Sequence, residues 1–372
     1  MKRYIPVAAP ALIGNEKKYV LECINSTWIS SNGVFIDKFE KSFADFCEVK
    51  HAISCSNGTV ALHLALLAIG ICPGDEVIVP TLTYVATANA VLYCGAKPIF
   101  IDCDKETWNL DSNLLENLIT SKTKAIVVVH LYGQPVDMDP VIRIAKKFGL
   151  FIIEDAAEAH GSEYRGKKIG SLGDISTFSF YGNKIITTGE GGMVVTQNDE
   201  FASRVRQMKG QGMDPNKRYW FPIIGYNYRM TNIEAALGLA QLEKITWHLS
   251  RRKEIAYQYF SRLKDIKDIK FQKEIPYAKN VYWLNSILLS KNLRISRDLM
   301  MEELSSLGIE TRPFFYPLHT LPIYQDLIDV KNLSTSEIIS AQGINLPSSA
   351  NLSENEIKYI CDSIIKTIER YN

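Results

Sequence analysis

The sequence of 372 residues predicts an α/β protein with a large domain built on a mostly parallel sheet and a small C-terminal α+β domain. Between residues 51 and 153, short runs rich in β-branched residues alternate with helical segments, which is typical of parallel strands covered on both faces. From about residue 246 the composition changes, and Arg, Lys and Glu become frequent. We therefore expect a large domain over residues 1–245 and a small domain over residues 246–372.

Ahead of the sheet, residues 1–50 predict a lead-in followed by a helix. Four phenylalanines between residues 35 and 46 recur at helical spacing, which indicates a stripe packed in the core. The predicted strands are residues 52–55, 76–80, 98–102, 125–130, 150–153, 175–181 and 193–196. The predicted helices among and after them are residues 59–69, 84–93, 140–148 and 231–243.

The C-terminal part predicts a smaller α+β unit. Residues 248–273 are rich in Arg, Lys and Glu and predict an exposed helix and linker. We then expect a strand over residues 281–289, a helix over residues 297–307 and a strand before residue 312. The last helix opens with Ser353 and Glu356 at the spacing of a capping box.

Composition and charge exclude several classes of function. Apolar residues make up 46% of the chain, enough for a packed core, and the net charge of +1 indicates no bulk attraction to nucleic acid or to a membrane. The seven cysteines form no CxxC pair and no zinc-like spacing, so we expect no metal site and a reduced, cytoplasmic protein. The N-terminus lacks the apolar region of a signal peptide, and the longest uncharged apolar run, residues 60–72, is too short to span a bilayer.

The most unusual feature is a lysine inside a glycine-rich turn. Lys184 follows the predicted strand 175–181 and precedes the run GEGG at residues 189–192. A lysine amine is a nucleophile only when neutral, and partial desolvation favours the neutral form. A solvated loop lysine is the ordinary alternative. The choice between the two interpretations therefore depends on the neighbouring motifs.

Two of these motifs lie where predicted strands end. Residues 56–59, Ser-Asn-Gly-Thr, join a strand to a helix, and their N–H and hydroxyl groups suit a phosphate, although an N-capping turn explains them equally well. Glu154 and Asp155 end another strand, where the ligand crevices of α/β sheets lie, although they could also cap the next helix. An aspartate facing a pyridine nitrogen would keep that nitrogen protonated, and the ring would then accept electrons.

One motif is misleading. Residues 161–167, GSEYRGK, match most of a P-loop, but Lys168 stands where the Mg²⁺-binding hydroxyl belongs, so we expect an exposed hairpin. No GxGxxG follows the first strand, which disfavours a Rossmann dehydrogenase.

Three of the features described above together fit pyridoxal phosphate. They are the possible phosphate turn at residues 56–59, Asp155 at a strand end, and Lys184 about thirty residues later.

Longer stretches resemble the sugar-nucleotide aminotransferases of fold-type I, nearly from end to end. These stretches are PGDEVIVPTLTYVATANA (73–90), EDAAEAHG (154–161), GSLGDISTFSFYGNKIITTGEGGM (170–193), GYNYRMTNIEAALGLAQLE (225–243) and RPFFYPLH (312–319). Residues 6–33 and 209–230 add a narrower likeness to members of this family that form GDP-perosamine.

The resemblance implies a role for single residues. Lys184 would be the lysine that binds pyridoxal phosphate covalently, Asp155 would hold the pyridine nitrogen, and Tyr84 would stack on the ring. The residues implied to bind the cofactor phosphate are Gly58, Thr59, Ser179 and, from a neighbouring subunit, Asn227. The implied substrate contacts are Arg229, Tyr316 and His319.

Four further residues are less clear. Glu158 stands in the family's usual glutamine position, a departure shared by the GDP-perosamine-forming members, and would lie near the phenolic oxygen. A carboxylate beside a phenolate is unfavourable, so we expect Glu158 to be protonated or tilted away. His160 matches a family motif, but core packing is its expected role. Trp28 and Trp220 could line a sugar pocket, with core packing as the alternative.

The implied reaction transfers the amino group of L-glutamate to GDP-4-keto-6-deoxy-D-mannose and forms GDP-perosamine, a precursor of bacterial surface polysaccharide such as O-antigen. Two alternatives stay open: a UDP- or dTDP-linked 4-keto sugar on the same fold, and a nucleotide-binding module or P-loop hydrolase without pyridoxal phosphate. A related sugar dehydration is disfavoured, because those dehydratases have histidine in place of Lys184. We expect a homodimer with shared active sites and no nucleic-acid or membrane partner.

Overall fold

The computed structural model describes residues 4–327 and 332–371. Two helices, α1 (Glu16–Ser26) and α2 (Val34–Cys47), precede the first strand. The elements that follow are β1 (His51–Cys55), α3 (Gly58–Ala68), β2 (Glu76–Pro80), α4 (Ala86–Tyr93), β3 (Lys97–Ile101), β4 (Thr123–Val129), α5 (Met138–Phe148), β5 (Phe151–Asp155), β6 (Glu163–Tyr164), β7 (Lys167–Lys168), β8 (Ile175–Ser179), β9 (Gly192–Thr196), α6 (Asp199–Lys209) and α7 (Asn232–Leu242). Every strand predicted for this part is present, with ends displaced by at most two residues.

The central sheet has seven strands in the order β1-β9-β8-β5-β4-β2-β3. Strands β8, β5, β4, β2 and β3 are parallel to one another, while β9 is antiparallel to both β8 and β1. The two reversals cancel, so β1, β5 and β8 all end at the same edge. This confirms the mostly parallel sheet and brings three of its strand ends together.

Helices cover both faces of this sheet. Alternate residues of each strand point to opposite faces, for example Ile152 to one and Ile153 to the other. Helices α2, α5 and α7 cover the first face, and α3, α4 and α6 cover the second. The phenylalanine stripe is part of the first layer, since Phe35, Phe39 and Phe43 are buried there. The core role predicted for the stripe is confirmed.

The C-terminal part is built on a second sheet. Its elements are α8 (Ile245–Leu263), β10 (Ile269–Phe271), β11 (Ala278–Lys279), β12 (Asn285–Leu289), α9 (Arg297–Ser306), β13 (Arg312–Pro313), α10 (Ser334–Gln342), β14 (Gly343–Leu346) and α11 (Glu354–Tyr371). The antiparallel order is β10-β12-β14-β13. The boundary at residue 245 stays a prediction.

Helix α8 differs from its prediction. An exposed helix was expected from its charges, but Ile255, Tyr259 and Leu263 are buried in the core of the second sheet. The Arg, Lys and Glu side chains occupy the opposite face, which is the ordinary arrangement of an amphipathic helix. The capping box of α11 is present: the N–H of Glu356 donates to Oγ of Ser353 at 3.3 Å, and the N–H of Ser353 donates to Glu356 at 2.9 Å.

The P-loop-like segment forms a hairpin of β6 and β7, as predicted. Its turn contains Arg165 and Gly166 with φ of 49° and 75°. No helix follows the turn, so the segment lacks the strand–loop–helix geometry that holds phosphates in a P-loop. Strand β11 pairs with β6 and links this hairpin to the C-terminal part. Within the described residues, no helix combines the length and apolar composition needed to cross a membrane.

Candidate active site

A cavity of about 780 Å³ lies at the edge of the central sheet where β1, β5 and β8 end. Seven of the eleven residues predicted for the site line it, and these are Gly58, Thr59, Tyr84, Asp155, Glu158, Ser179 and Lys184. They come from five separate segments of the chain, and only the sheet topology brings them together.

The two acids at the end of β5 have different roles. Asp155 lines the cavity, where its Oδ2 accepts a hydrogen bond of 2.8 Å from Oγ1 of Thr87. Burial raises the pKa of Asp155, and the hydrogen bonds from Thr87 and Ala157 oppose that shift. A buried carboxylate with a neutral hydroxyl beside it suits a cationic N–H partner in the cavity.

Glu154 points to the other face of the sheet. Its carboxylate accepts from Nε2 of His130 at 3.1 Å and from the backbone N–H groups of Leu172 and Gly173 at 2.8 and 2.7 Å. Burial acts to raise the pKa of Glu154, but the hydrogen bonds from His130 and Gly173 hold it below its ordinary value. Glu154 therefore fixes the loop before β8 and does not enter the cavity.

The start of α3 forms an anion cradle. The side chain of Asn57 caps the helix by accepting the N–H of Val60 at 3.0 Å, while Gly58 and Thr59 line the cavity. A Cβ atom added to Gly58 would lie 2.7 Å from Cβ of Ser179, so only glycine allows this close contact. The first-turn N–H groups of a helix have no partner within that helix. The capping hypothesis is confirmed for Asn57, and the assignment of Gly58 and Thr59 to a phosphate stays a prediction.

Lys184 lies in the turn after β8. Its backbone N–H donates to the carbonyl of Tyr181 at 2.9 Å, and its Nζ lies 3.9 Å from Oε1 of Glu158. Burial lowers the pKa of Lys184, and the carboxylates of Glu158 and Asp155 act in the opposite direction. This is the desolvated lysine that the sequence predicted.

Glu158 lies beside the lysine. Its Oε2 accepts the backbone N–H of Tyr132 at 2.7 Å. Burial raises the pKa of Glu158 to about 7, although Lys184 and the N–H of Tyr132 lower it. The raised pKa favours the protonated carboxyl, which is one of the two arrangements expected for Glu158, and the ionisation state of this residue stays a prediction.

These residues fit pyridoxal phosphate. The cradle of Gly58, Thr59 and Ser179 supplies N–H and hydroxyl donors for a phosphate, and Asp155 supplies a carboxylate for a ring nitrogen. Tyr84 lies at the rim with 57% of its surface exposed and its ring centroid 5.7 Å from that of Phe315, and its stacking on the cofactor ring stays a prediction. The donor set matches the phosphate, the ring nitrogen and the aldehyde of this cofactor at once.

Four predicted residues do not line this cavity: Asn227, Arg229, Tyr316 and His319. Asn227 and Arg229 are exposed, and Oδ1 of Asn227 accepts from Nη2 of Arg229 at 2.9 Å. Nδ1 of His319 lies 2.7 Å from Oγ1 of Thr81, and its Nε2 lies 3.1 Å from Glu337, so both nitrogens are engaged. Their functional roles stay predictions.

The aromatic residues named from the sequence divide in two. His160 is buried among Phe43, Phe178 and Phe180, and burial lowers its pKa to about 3, so it packs in the core as expected. Trp28 and Trp220 are 59% and 54% exposed, so the core-packing alternative is wrong for both. Trp28 lines a separate surface pocket with Asn232.

Sequence reasoning missed the C-terminal contribution to the cavity. Trp283, Arg312, Phe315 and Asn345 line it and come from the second sheet and its flanking loops. Arg312 is the first residue of RPFFYPLH (312–319), one of the stretches on which the family resemblance rests. A charged residue directly before an apolar run was the signal that could have identified it as a site residue. Trp283 and Asn345 stand in ordinary strand-like sequence and had no such signal.

Comparisons with known proteins agree with this geometry. The profile of the DegT/DnrJ/EryC1/StrS aminotransferase family matches residues 10–365. The chain is 54% identical over 367 residues to the GDP-perosamine synthase of Caulobacter vibrioides, covering 98% of each chain, and 52% identical over 362 residues to that of Escherichia coli O157:H7, covering 97% of this chain and 98% of that one. Among solved structures, Helicobacter pylori PseC, an aminotransferase of pseudoaminic acid biosynthesis, superposes with a TM-score of 0.94 at 32% identity, covering 99% of this chain and 100% of PseC.

Proposed function

Because the chain belongs to the DegT/DnrJ/EryC1/StrS aminotransferase family, we propose that it transfers the amino group of L-glutamate to the C4 ketone of GDP-4-keto-6-deoxy-D-mannose, forming GDP-perosamine and 2-oxoglutarate. The observation that supports aminotransfer most directly is the placement of a desolvated Lys184 in one cavity with Asp155 and the anion cradle. The choice of sugar is supported by three GDP-perosamine synthases that are 47–54% identical over nearly the whole chain.

The predicted site residues that line the cavity would have separate tasks in this reaction. Pyridoxal phosphate, when bound, supplies the aldehyde that accepts the amino group and the ring that accepts electrons from the reacting carbon. Gly58, Thr59 and Ser179 would hold its phosphate, and Asp155 would keep a proton on its ring nitrogen. Lys184 would move the protons: in the first half-reaction its Nζ would take one from Cα of glutamate and pass it to the cofactor, and in the second it would take one back and deliver it to C4 of the sugar.

Glu158 supports this proton transfer. Its carboxyl group lies 3.9 Å from Nζ of Lys184 and is fixed by the N–H of Tyr132. In its protonated form it would donate a hydrogen bond to an oxygen of a ligand bound in the cavity, and in its ionised form it would stabilise the ammonium form of Lys184. A pKa of about 7 makes both forms available at neutral pH.

The amino donor carries carboxylates, and the cavity has a cation for one of them. Among the described residues that line the cavity, Lys184 and Arg312 are the basic ones, and Arg312 is held by an ion pair of 3.5 Å with Glu310. Arg312 lies directly across from Asn345 in the second sheet. We assign this guanidinium to a carboxylate of glutamate, because charge-assisted pairs of this kind are strong and directional.

Asn345 is oriented to assist. Its Oδ1 accepts the hydroxyl of Ser286 at 2.6 Å, which fixes the amide and leaves its Nδ2 as the donor. One N–H of that Nδ2 bonds the carbonyl of Pro313 at 3.3 Å, and an amide nitrogen has a second hydrogen to offer. Arg312 and Asn345 thus form a pair of donors on one face of the sheet.

We assign Asn227 to the active site of a second copy of the chain in a homodimer. It lies on a segment whose aromatic and aliphatic side chains are exposed, including Tyr219, Trp220, Phe221 and Ile224. Apolar surface of this kind on one segment is typical of a protein interface. In an isologous dimer the same contact is made twice, so each site receives one Asn227.

We place the activity in the cytoplasm. All seven cysteines are unpaired thiols, and six of them are buried. Unpaired core cysteines are usual in reducing compartments and rare in secreted proteins.

The decisive experiment is a comparison of substrates. Purified protein would be assayed with GDP-, dTDP- and UDP-linked 4-keto-6-deoxy sugars and L-glutamate, and we expect amino sugar from the GDP-linked substrate with the highest kcat/KM. A higher kcat/KM with a UDP- or dTDP-linked sugar would transfer the assignment to that substrate. A yellow protein that is bleached by borohydride would demonstrate bound pyridoxal phosphate, and a colourless one that stays inactive after the cofactor is added would refute the aminotransferase.

A further inference from the structure

The indole of Trp283 lies against the catalytic lysine. Nζ of Lys184 is 4.0 Å from the centroid of the Trp283 ring, and the indole is buried with 3% of its surface exposed. Trp283 comes from the C-terminal part, in the loop before β12, and none of the roles assigned above uses it.

Four hydrogen bonds fix this indole relative to the lysine turn. Nε1 of Trp283 donates to the carbonyl of Asn183 at 2.8 Å, and its backbone N–H donates to the carbonyl of Tyr132 at 3.0 Å. Nη1 of Arg252 donates to the carbonyl of Trp283 at 2.7 Å, and Nη2 of the same side chain donates to the carbonyl of Lys184 at 3.4 Å. The indole is therefore joined to the lysine turn directly, at the carbonyl of Asn183, and indirectly, through Arg252.

Arg252 is unusual among the charged groups near the site. It is buried, its Nη groups donate to the carbonyls of Trp283, Ser348 and Lys184, and the ion pairs seen among the described residues do not include it. Burial lowers the pKa of Arg252 to about 10, so it stays protonated at neutral pH. A buried guanidinium that binds carbonyls of both parts of the chain acts as a cross-link between them.

The face of an indole carries negative charge density and attracts a cation, most strongly where water is excluded. The groups that act on the amine of Lys184 are the carboxylates of Glu158 and Asp155 and the ring of Trp283. His160 is neutral because burial lowers its pKa to about 3, and Arg252 contacts the lysine at its backbone carbonyl. The Trp283 ring is thus the uncharged surface against which an ammonium group at this position is stabilised.

We propose that Trp283 is a positioning residue that holds the Lys184 amine in its protonated form between the moment it takes a proton and the moment it delivers that proton, in each half-reaction. This inference rests on the proposed role of Lys184 as the proton carrier. A carrier has to keep its proton and its place after the amine is released from the cofactor. Glu158 attracts the charge of that amine, and the rigid indole sets its position.

The test measures the ionisation of Lys184 itself. In protein loaded with pyridoxamine phosphate the lysine amine is free, and its reaction with acetic anhydride can be followed by mass spectrometry across a pH series. Trp283→Met removes the ring and fills much of its space, Trp283→Phe keeps an aromatic face, and Trp247→Met serves as the matched control. We expect Trp283→Met to lower the labelling midpoint of Lys184 by roughly half to one pH unit, Trp283→Phe to recover most of that shift, and Trp247→Met to leave it unchanged.

A second measurement needs no substitution in its main arm. The chain has five tryptophans, and growth on fluorinated tryptophans replaces all of them with rings of weaker negative face. The pH midpoint of Lys184 acetylation should fall with each added fluorine. In the Trp283→Phe variant, which has no tryptophan at this position, incorporation of fluorinated tryptophan should leave that midpoint constant. A midpoint that stays level, or rises, in loaded protein that still turns over would overturn the role of Trp283 while leaving the aminotransferase intact. Protein that neither binds the cofactor nor turns over would refute the proposed function instead.

Discussion

The backbone N–H of Tyr132 donates to Oε2 of Glu158 at 2.7 Å from a left-handed conformation with φ of 56°. A bulky residue adopts this region at a cost of about 1–3 kcal/mol, so the surrounding structure has to enforce it. The Tyr132 ring is fully buried and contacts Phe314 with a centroid distance of 4.9 Å. The strain is localised at the one N–H that orients the carboxyl group beside Lys184.

Stability should therefore depend on pH through Glu158. Its pKa is about 7 in the folded chain and about 4.3 when unfolded, so between these values the folded state binds more protons. The free energy of unfolding falls as pH rises through this window, by an amount on the order of 3 kcal/mol. Glu158→Gln should remove that loss, and urea unfolding at pH 5 and pH 8 measures it. The exposed Glu48→Gln is the control, and an unchanged slope in Glu158→Gln would contradict the assignment.

Lys184→Ala should keep its cofactor and lose its turnover. The phosphate and ring contacts of Gly58, Ser179 and Asp155 remain, whereas the proton carrier is gone. Equilibrium dialysis would measure cofactor binding, and coupled formation of 2-oxoglutarate would measure turnover. Turnover close to that of the parent protein would show that another group carries the proton.

Asp155→Asn keeps the size of the side chain and removes its charge. We expect severe loss in both half-reactions, because a ring nitrogen without a carboxylate partner loses its proton and accepts electrons poorly. The hydrogen bond from Thr87 can be retained, so the fold should be unaffected, as circular dichroism would show. If most of the activity survives, Asp155 is a structural residue at the strand end.

Arg312→Gln tests the donor subsite. Loss of one charge-assisted hydrogen bond should raise the KM for L-glutamate about 10- to 100-fold. The half-reaction of the pyridoxamine phosphate form with the keto sugar should change little. The exposed and distant Arg370→Gln is the matched control. An equal loss with the sugar would assign Arg312 to the nucleotide diphosphate.

Asn227→Asp tests the shared site. A carboxylate beside the cofactor phosphate is repelled, so we expect weaker binding of pyridoxal phosphate, with the defect in the partner's site. In a mixed dimer of Lys184→Ala and Asn227→Asp chains, one site carries both defects and the other carries neither. Mixing the two inactive homodimers under subunit exchange should restore activity. If native mass spectrometry confirms mixed dimers and no activity returns, Asn227 does not serve the opposite site.

The parts of the fold that could be predicted are those that depend on residues close together in the sequence. The strands of the central sheet follow from β-branched runs such as residues 76–80, whose bounds match the structure. Three residues predicted to bind the cofactor, Gly58, Asp155 and Lys184, lie at or just after the end of a strand or at the start of a helix, where their immediate neighbours in the sequence indicate their chemistry. The prediction that α8 is exposed was wrong, because it considered only composition. The many charged residues of one face outweighed the apolar residues of the buried face.

The parts that could not be predicted depend on contacts between distant segments. Arg312 and Trp283 reach the cavity only because the second sheet packs against the first, and no spacing in the sequence encodes that approach. Glu154 and Asp155 are adjacent in sequence, and only the pairing of β5 with β8 decides which acid enters the cavity. The opposite roles of these two acids follow from strand alternation once the register is known.

The antiparallel β9 also sets the order in which the site can form. His51 of β1 pairs with Thr196 of β9. The strand that leads into the anion cradle is therefore the first strand of its sheet to be synthesised and among the last to be paired. Contacts this distant along the chain form slowly, because a long loop has to close first. A refolding chain should therefore acquire most of its helical signal before it can bind pyridoxal phosphate. The time at which cofactor absorbance appears during refolding would then report when β1 pairs with β9.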